Sequence, residues 1–430
     1  MGTHIDPFAP SRHILDAYVN GGQYAGATVA VVHAEKEEPI FKYVTGWGGE
    51  KDGKDCGQWG EKALHRIYSM TKPITSVAAM MLIEGKSMAL DDEIWKYIPE
   101  FKSPQVIIEG KNGDFSLVPA KSEITVRHLL THTSGFGYGG LFHTGPSVKF
   151  YEEQGIKTFD QQLGQSSKDV AMALAKIPLL YHPGECIHYS LSTDVLGYLV
   201  EVVSGMALRD FMLEKILKPL KMNDTDFWVP PEKMSRLRPV FWKGDAFSHV
   251  ETPNPTQKDC HTRGVGKMSP STAGGAGLFS TCADYIRFMR MLLNKGTLDG
   301  VRILSEESVE IMTEKNHLPE GKDCNAMRVP TQFGTFPGEK GVGWCLLGTI
   351  LLEDGVDKAV GCKMSTPGEY GWGGYASTYF QLDPKHKTGF VVLTQLIPSS
   401  SYPVRPQMKY AVNAALKGMR AELRALGIEV

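Results

Sequence analysis

Ser69 and Lys72 stand three residues apart in the tetrad Ser69-Met70-Thr71-Lys72, at the start of a helical pattern. Side chains at positions i and i+3 of a helix project from the same face, so the amine can hydrogen-bond the hydroxyl. A serine hydroxyl is a poor nucleophile until a neighbouring base takes its proton. The positive end of the helix dipole and a dry pocket both disfavour a charged lysine, which leaves a neutral amine as that base. The tetrad therefore predicts a serine nucleophile, although the same pattern also occurs by chance on solvated helices.

Tyr189 offers a second group that could carry a proton. It follows the turn at residues 181–185 and shortly precedes a helical pattern that begins at Ser192. A hydroxyl at a loop–helix junction can reach into a cleft and, beside cations, can shuttle a proton. The alternative interpretation is a half-buried structural tyrosine, which is the commoner case for a tyrosine taken alone.

The segment Gly371-Trp372-Gly373-Gly374-Tyr375 stands immediately before a predicted strand. Glycines at the edge of a sheet let the backbone approach a ligand closely. A main-chain N–H in this segment, paired with that of the nucleophile at its helix N-terminus, could bind a developing oxyanion. The alternative is a turn with a packed tryptophan.

His128 and His132 are four residues apart, a spacing that metal-ligating histidines also use. There is no acidic residue in an H-E-x-x-H arrangement and no evident third ligand, so we predict a structural, hydrogen-bonding role for His132 and no metal. The Gly-x-Ser-x-Gly elbow of the α/β-hydrolases and the phosphate-binding G-x-x-x-x-G-K-[ST] motif are both missing from the sequence. We therefore expect a site without a metal or a cofactor.

The elements that must position these residues change in type along the chain. A helix is predicted over residues 12–21, strands over Ala25 to His33 and Ile40 to Thr45, and after Ser69 a helix that buries one face and ends at Gly85. The chain from 86 to 270 is loop-rich and short of strands. Further helices are predicted at Val126 to Leu130, Lys168 to Lys176, Ser192 to Val203, Leu208 to Ile216, Cys282 to Leu293, Ser305 to Thr313 and Met408 to Leu426, and further strands at Val342 to Leu351, Tyr375 to Leu382 and Thr388 to Leu396.

Strands at both ends of the chain with helices between them predict one sheet assembled from the two termini. The predicted units are an α/β domain of residues 1–85 and 271–430, and a mainly helical insertion of residues 86–270. At 430 residues the chain is long enough for both.

Composition argues against several classes of partner. Apolar residues make up 42% and charged residues 22% of the chain, and the formal net charge is −2, so neither nucleic acid nor an anionic membrane is expected. No apolar run approaches the roughly eighteen residues of a membrane span, and no signal peptide is visible in residues 1–11. The 7 cysteines lack C-x-x-C pairs and fit reduced thiols in a cytoplasmic protein.

Taken together, these segments resemble the serine β-lactamase and penicillin-binding-protein superfamily. The similarity is to its esterase branch, the family VIII carboxylesterases, and to the related fungal statin-side-chain acyltransferases. The matching stretches are Tyr68 to Pro73, Leu129 to Gly135, Tyr189-Ser190 with Leu196 to Tyr198, Gly274 to Thr281, and Trp372 to Gly374. The resemblance implies a β-lactamase/transpeptidase-like fold of the α/β (α+β) class, an antiparallel sheet flanked by helices, with the active site in the cleft beside the helical insertion.

The resemblance also implies a role for each matching residue. Ser69 would be the acylated nucleophile, Lys72 its general base, and Tyr189 the relay that protonates the leaving group. The N–H groups of Ser69 and Tyr375 would form the oxyanion hole. The edge Trp372-Gly373-Gly374 would bind substrate, because it stands where penicillin-recognising members carry Lys-Thr-Gly.

Two departures from that superfamily pattern affect the expected substrate. Leu191 stands where an amide-recognising Asn is usual, and the neutral Trp372 replaces a cation that helps to bind the substrate carboxylate. Both changes favour small, neutral esters over β-lactams or D-alanyl peptides.

We therefore expect a serine hydrolase that cleaves small-molecule carboxylic esters of short to medium chain length through an acyl-enzyme on Ser69. An acyltransferase, a β-lactamase or D-alanyl peptidase, and an amide hydrolase use the same site and stay open as alternatives. A non-catalytic homologue is disfavoured, because the chain retains Ser69, Lys72 and Tyr189.

Overall fold

The computed structural model describes residues 6–47, 50–51, 54–55, 58–110, 114–139, 145–156, 165–243, 265–267, 272–327, 340–354, 365–399, 401–419 and 424. Its α-helices, in chain order, are α1 (Ala9–Asn20), α2 (Thr71–Glu84), α3 (Val126–Leu130), α4 (Ser147–Glu153), α5 (Ser167–Leu174), α6 (Ser192–Ser204), α7 (Leu208–Met212), α8 (Cys282–Leu293), α9 (Glu306–Thr313), α10 (Cys324–Met327) and α11 (Val404–Gly418). A π-helical turn, Leu213–Leu217, follows α7 directly.

The β-strands are distributed toward the two ends of the chain, with a few short pairs between. In chain order they are β1 (Gly26–His33), β2 (Phe41–Gly46), β3 (Glu50–Lys51), β4 (Lys54–Asp55), β5 (His65–Arg66), β6 (Gln105–Glu109), β7 (Phe115–Pro119), β8 (Phe241–Trp242), β9 (Phe279–Ser280), β10 (Thr297–Leu298), β11 (Val301–Arg302), β12 (Val342–Trp344), β13 (Thr349–Leu351), β14 (Tyr370–Gly373), β15 (Tyr379–Asp383), β16 (Thr388–Leu393) and β17 (Leu396–Ile397).

A central antiparallel sheet joins the two ends of the chain. Its 7 strands run in the order β12-β13-β14-β15-β16-β1-β2. Strand β1 lies at the junction, where Thr28 pairs with Leu393 on one side and with Val44 on the other. The predicted antiparallel sheet flanked by helices is confirmed. The domain boundaries stay a prediction, and residues 268–271 around the second one lie outside the described part of the chain.

Both faces of this sheet are covered, so β1 is buried along its whole length. Val29 and Val31 face one apolar cluster, which also contains Leu15 of α1 and Met408 of α11. Ala30 and Val32 face the other and larger cluster, which includes residues of α2, α6 and α8. Alternate side chains of a strand point to opposite faces, and a strand covered on both sides therefore reads as a continuous apolar run.

Helix α2 is enclosed more fully than the sequence pattern predicts. The pattern indicates one buried face, but every residue from Thr71 to Met80 is buried. Pairs of residues in contact link α2 with α6, α7 and α9, so it has neighbours on several sides. The small residues of its sequence, such as Ala78 and Ala79, permit this close packing.

Four sequence-predicted elements differ from the structure. The single strand predicted at Val342 to Leu351 is the hairpin β12–β13, whose turn contains Gly348 with a φ of 154°. The segment that begins at Gly371, predicted to precede a strand, lies largely in strand β14. The strand predicted from Tyr375 is β15, which starts only at Tyr379. The hairpin β6–β7 lies in the region predicted to be short of strands. Helix α11 begins at Val404, because Pro403 at its N-cap starts it earlier than the apolar periodicity indicates.

None of the described helices combines the length and the apolar character that crossing a bilayer requires.

Burial of His65 in β5 makes stability depend on pH. His65 is 1% exposed, packs against the Trp59 ring, and has its pKa lowered to about 3, first by burial and then by Arg238. The folded-state pKa lies below the ordinary value of about 6.5, so the fold favours neutral His65. Its contribution to stability is complete above about pH 6.5 and is lost as the pH falls toward 3.

We expect His65→Phe to flatten this dependence. Between pH 7 and 4.5, its free energy of unfolding should fall by about 2–3 kcal/mol less than that of the unmodified protein, because no buried imidazole has to be protonated. Urea unfolding at the two pH values measures the difference. The control is His13→Gln at an exposed position of α1. Equal losses in the two variants would contradict the prediction.

Candidate active site

Ser69 lies in a 3₁₀ turn, Tyr68–Met70, that leads directly into α2. Tyr68 has a φ of 44°, a left-handed conformation that is uncommon for a residue with a bulky side chain. The carbonyl oxygen of Met70 accepts a hydrogen bond from the Tyr285 hydroxyl at 3.1 Å, which ties the turn to α8. Ser69 is half-buried whereas the residues on either side of it are buried, so the turn leaves the serine as its accessible member.

The amine of Lys72 is enclosed and bound from several sides. Lys72 is 4% exposed, and its Nζ lies 3.2 Å from Ser69 Oγ, 3.1 Å from Tyr138 Oη and 2.7 Å from the carbonyl oxygen of Gly275. The same nitrogen lies 4.6 Å from the centroid of the Tyr189 ring, within cation–π distance. The structure therefore brings Ser69 and Lys72 within hydrogen-bond reach, as their spacing predicts.

Gly275 separates this amine from a buried carboxyl group. The backbone N–H of Gly275 donates to Asp194 Oδ1 at 3.3 Å, and Asp194 is 7% exposed. A Cβ at position 275 would lie 2.5 Å from Asp194 Oδ2 and 3.3 Å from Lys72 Nζ. Only glycine therefore lets the Asp194 carboxyl group and the Lys72 amine lie this close to residue 275.

Tyr189 contacts the lysine through its ring and a tryptophan through its hydroxyl. Its Oη accepts a hydrogen bond from Trp372 Nε1 at 3.2 Å, and the residue is 4% exposed. Its ring centroid lies 4.6 Å from that of His132 and 5.5 Å from that of Tyr138. Phenol, indole and amine thus converge beside Ser69, and a proton relay by Tyr189 remains a prediction that fits this geometry.

Trp372 is held by other side chains of the site. It lies in β14, is 6% exposed, and packs edge-on against Trp344 with ring centroids 4.8 Å apart. Because its indole N–H is directed to Tyr189, the contact that Trp372 can offer a substrate is apolar. Its role in substrate binding stays a prediction.

The two glycines after Trp372 allow close approach of backbone. A Cβ on Gly373 would lie 2.6 Å from Arg405 Cζ, and one on Gly374 would overlap the carbonyl oxygen of Ile67. Tyr375 packs edge-on against Tyr68 with ring centroids 5.9 Å apart. The end of β14 thus lies against the residues that immediately precede the nucleophile. This proximity fits the predicted oxyanion hole of the Ser69 and Tyr375 N–H groups, which stays a prediction.

His128 and His132, the pair with the spacing of metal ligands, both accept hydrogen bonds from backbone N–H groups. His132 accepts from the backbone N–H of Ser190 at 3.3 Å, and its pKa is well below the usual value, first because of burial and second because of nearby Lys72. His128 Nδ1 accepts from the backbone N–H of Thr125 in a capping box, and burial lowers its pKa to about 4. Within the described ranges no group of three or more His, Cys, Asp or Glu side chains could hold a metal ion.

Tyr138 and Asp194 belong to the site and were not among the residues predicted from the sequence. Tyr138 stands in a glycine-rich stretch, where an aromatic residue between glycines is a usable signal. Asp194 is an acidic residue in the first turn of α6, a position where such residues commonly serve only to stabilise the positive end of the helix dipole. Only the tertiary structure distinguishes these two interpretations.

The chain is similar to known proteins along nearly its whole length. A family model described as Beta-lactamase matches residues 12–410. Protein Rv1367c of Mycobacterium tuberculosis is 32% identical over 431 residues, covering 98% of each chain. Lovastatin esterase of Penicillium rubens is 27% identical over 380 residues, covering 86% of this chain and 89% of the relative.

A solved structure carries the same fold. It is that of EstCE1, described as a hydrolase with promiscuous acyltransferase activity, and it superposes with a TM-score of 0.74 at 22% identity. The match covers 95% of this chain and 98% of the other. The β-lactamase/transpeptidase-like fold that the resemblance implies is therefore confirmed.

We expect Tyr138→Phe to make Ser69 less reactive, because one of the three groups that hydrogen-bond the Lys72 amine is lost. A hydrogen bond between neutral groups contributes about 0.5–1.5 kcal/mol, so the rate should fall roughly 2- to 10-fold as the amine loses a group that holds it in place. The measurement is the rate constant for phosphonylation of Ser69 by a fluorophosphonate. Tyr181→Phe, which removes a hydroxyl from a neighbouring loop, is the matched control. Equal rates for the Tyr138 and Tyr181 variants would rule out this role.

Proposed function

The chain belongs to the Beta-lactamase family, and from that premise we propose that it is a serine hydrolase of carboxylic esters that works through an acyl-enzyme on Ser69. The observation that carries the proposal is the 3.2 Å contact between Lys72 Nζ and Ser69 Oγ in an enclosed site. A lysine held there without its proton is positioned to deprotonate the hydroxyl. The partner is a small-molecule ester, and no cofactor is needed for this chemistry.

Acylation and deacylation use the same groups in turn. Ser69 Oγ attacks the ester carbonyl carbon while Lys72 takes the hydroxyl proton, and the N–H groups of Ser69 and Tyr375 bind the oxyanion. Collapse of the tetrahedral intermediate breaks the bond to the alkoxide, which receives a proton through Tyr189 and leaves as the alcohol. A water molecule then attacks the acyl-enzyme, giving its proton to Lys72 and Tyr189, and the acid is released as Ser69 recovers its proton.

The neutral wall of the site supports ester over lactam substrates. Trp372 places an indole where penicillin-recognising members of the superfamily carry a cation, and its N–H is used by Tyr189. Leu191 stands in place of the amide-recognising Asn and is 1% exposed. Neither side chain provides a charged contact for a substrate carboxylate. The sequence relative named lovastatin esterase agrees with an ester as substrate.

Acyl transfer to a second alcohol is the other candidate function. The observation that favours it is the enclosure of the reacting groups: Lys72 and Tyr189 are each 4% exposed, and Trp372 and Trp344 pack beside them. Bulky aromatic walls bind the apolar part of an alcohol and restrict competing water. The same acyl-enzyme then passes its acyl group to the bound alcohol rather than to water.

We further propose that the enzyme works in a reducing compartment such as the cytoplasm, without nucleic-acid or membrane partners. Cys186, Cys282, Cys324 and Cys345 are free thiols, and burial raises the pKa of Cys282 and Cys345 to about 12. Thiols in this state form disulfides slowly. The proposed organisation is a domain of residues 1–85 and 271–430 and an insertion of residues 86–270, with the substrate bound between them.

We expect Ser69→Ala to lower kcat/KM for p-nitrophenyl acetate and butyrate by about 10⁴-fold or more, because the nucleophile of the covalent pathway is gone. The unmodified enzyme should be labelled by a fluorophosphonate at Ser69 alone, as read by peptide mass mapping. Nitrocefin assayed beside the esters should be a far poorer substrate. Labelling elsewhere, or turnover retained in the alanine variant, would remove Ser69 from the mechanism.

Competition for the acyl-enzyme separates hydrolysis from acyl transfer. With p-nitrophenyl butyrate as donor, added apolar alcohols should divert part of the acyl group into a new ester while nitrophenol release stays limited by acylation. The ratio of new ester to butyrate, measured by chromatography, gives the partition between alcohol and water. Only butyrate at every alcohol concentration would assign the site to hydrolysis alone.

A further inference from the structure

The guanidinium of Arg405, in the first turn of α11, lies beneath the end of β14. Its Nη2 donates to the carbonyl oxygen of Gly374 at 2.6 Å and to that of Thr378 at 2.9 Å. The carbonyl of Thr378 also accepts from the N–H of Gly374 at 2.9 Å. One nitrogen of Arg405 therefore crosslinks both ends of the turn at residues 374–378.

This cation is costly to place where it lies. Its Nε is buried and has no hydrogen-bond partner in the described part of the chain, and no carboxylate there forms an ion pair with it. Burial lowers the pKa of the Arg405 guanidinium, which reports the same unfavourable environment. The half-buried side chain also has its Cζ 5.8 Å from the centroid of the Tyr379 ring, but no carboxylate balances its charge, so it contributes little to stability alone. What Arg405 provides is a pair of hydrogen bonds to the backbone carbonyl oxygens of Gly374 and Thr378.

One of those carbonyls belongs to the peptide that carries the proposed oxyanion donor. The C=O of Gly374 and the N–H of Tyr375 are the two polar groups of a single peptide unit, which is planar and, when trans, points them in opposite directions. A hydrogen bond that fixes the C=O on the α11 side therefore fixes the direction of the N–H on the other side. A cation on the C=O also polarises the unit and makes its N–H a stronger donor.

We propose that Arg405 is a positioning residue for the oxyanion hole, which orients and polarises the Gly374–Tyr375 peptide. This inference rests on the proposed function, in which the Tyr375 N–H binds the developing oxyanion. It also gives a reason for Gly373: a Cβ there would lie 2.6 Å from Arg405 Cζ and 2.7 Å from its Nη2, so any larger residue displaces the guanidinium. Arg405 itself does not touch the reacting atoms.

The test compares two variants. Arg405→Met removes the positive charge and the hydrogen-bond donors. Arg405→Lys keeps the charge and can still donate a hydrogen bond to one of the two carbonyl oxygens. Arg405→Met should lower kcat/KM for p-nitrophenyl butyrate about 10- to 100-fold, less than the loss of a whole oxyanion donor. The lysine variant should lie between it and the unmodified enzyme. Lys409→Met is the matched control: it removes a cation from the same helix, one that pairs with Glu369 at 3.6 Å.

The decisive readout is the affinity for two ketones that share the butyryl chain. A trifluoromethyl ketone forms an oxyanionic adduct with Ser69, so its inhibition constant should weaken by the same factor as kcat/KM in each Arg405 variant. The methyl ketone binds without an adduct and should keep its affinity, as should both ketones in Lys409→Met. A purely structural role would lower the melting temperature and leave the trifluoromethyl ketone affinity of the folded enzyme unchanged.

The results separate the inference about Arg405 from the proposed function of Ser69. Unchanged kcat/KM and ketone affinity in folded Arg405→Met would overturn the inference. If Arg405→Met does not fold, unchanged kcat/KM and trifluoromethyl ketone affinity in Arg405→Lys would overturn the inference equally. A loss of about threefold or more in both quantities supports the inference. Ester turnover that survives in Ser69→Ala would instead overturn the proposed function, independently of Arg405.

Discussion

The enclosed amine of Lys72 is the constraint on which the site depends. As an ammonium it has three N–H donors, and three acceptors surround it, from the turn before α2, from the loop at Tyr138 and from the segment at Gly275. These three acceptors are far apart in sequence, so the amine is satisfied only when the regions on both sides of it are folded together. When the amine gives up the proton that faces Ser69, its lone pair points at that hydroxyl, and proton exchange needs no other group to move.

The aromatic shell sets the electrostatics of that exchange. The rings of Tyr138 and Tyr189 lie against the amine, Trp372 packs on Tyr189, and Trp344 packs on Trp372. Hydrogen bonds and charges act more strongly where water is excluded, so the few polar groups that remain carry the chemistry. Arg405 of α11 binds the carbonyl oxygen of Gly374, and in our proposal this contact orients the neighbouring backbone donor.

Much of the fold and the centre of the site could be predicted from residue type and spacing. Ser69 and Lys72 are three residues apart where a 3₁₀ turn leads into α2, so their contact is local and follows from helical spacing. Tyr138, Asp194 and Arg405 could not be found in this way, because their importance comes from contacts across long separations in sequence. Strand β14 was also missed: its Tyr-Gly-Trp-Gly sequence lacks β-branched residues, and only its pairing with β13 and β15 makes it a strand.

Pairing of β1 with β16 has a consequence for how the protein is made. Thr28 pairs with Val44 of the next strand but also with Leu393, so β1 gains its second neighbour only after nearly the whole chain has left the ribosome. Until then β1 carries an unpaired edge and two uncovered apolar faces, the features that promote aggregation of nascent chains. Helix α2 is synthesised early, yet β14 and α11 come late, so the proposed site around Ser69 is assembled only in the last stage of synthesis. Under the proposed mechanism, the order of translation keeps Ser69 inactive until its sheet is complete.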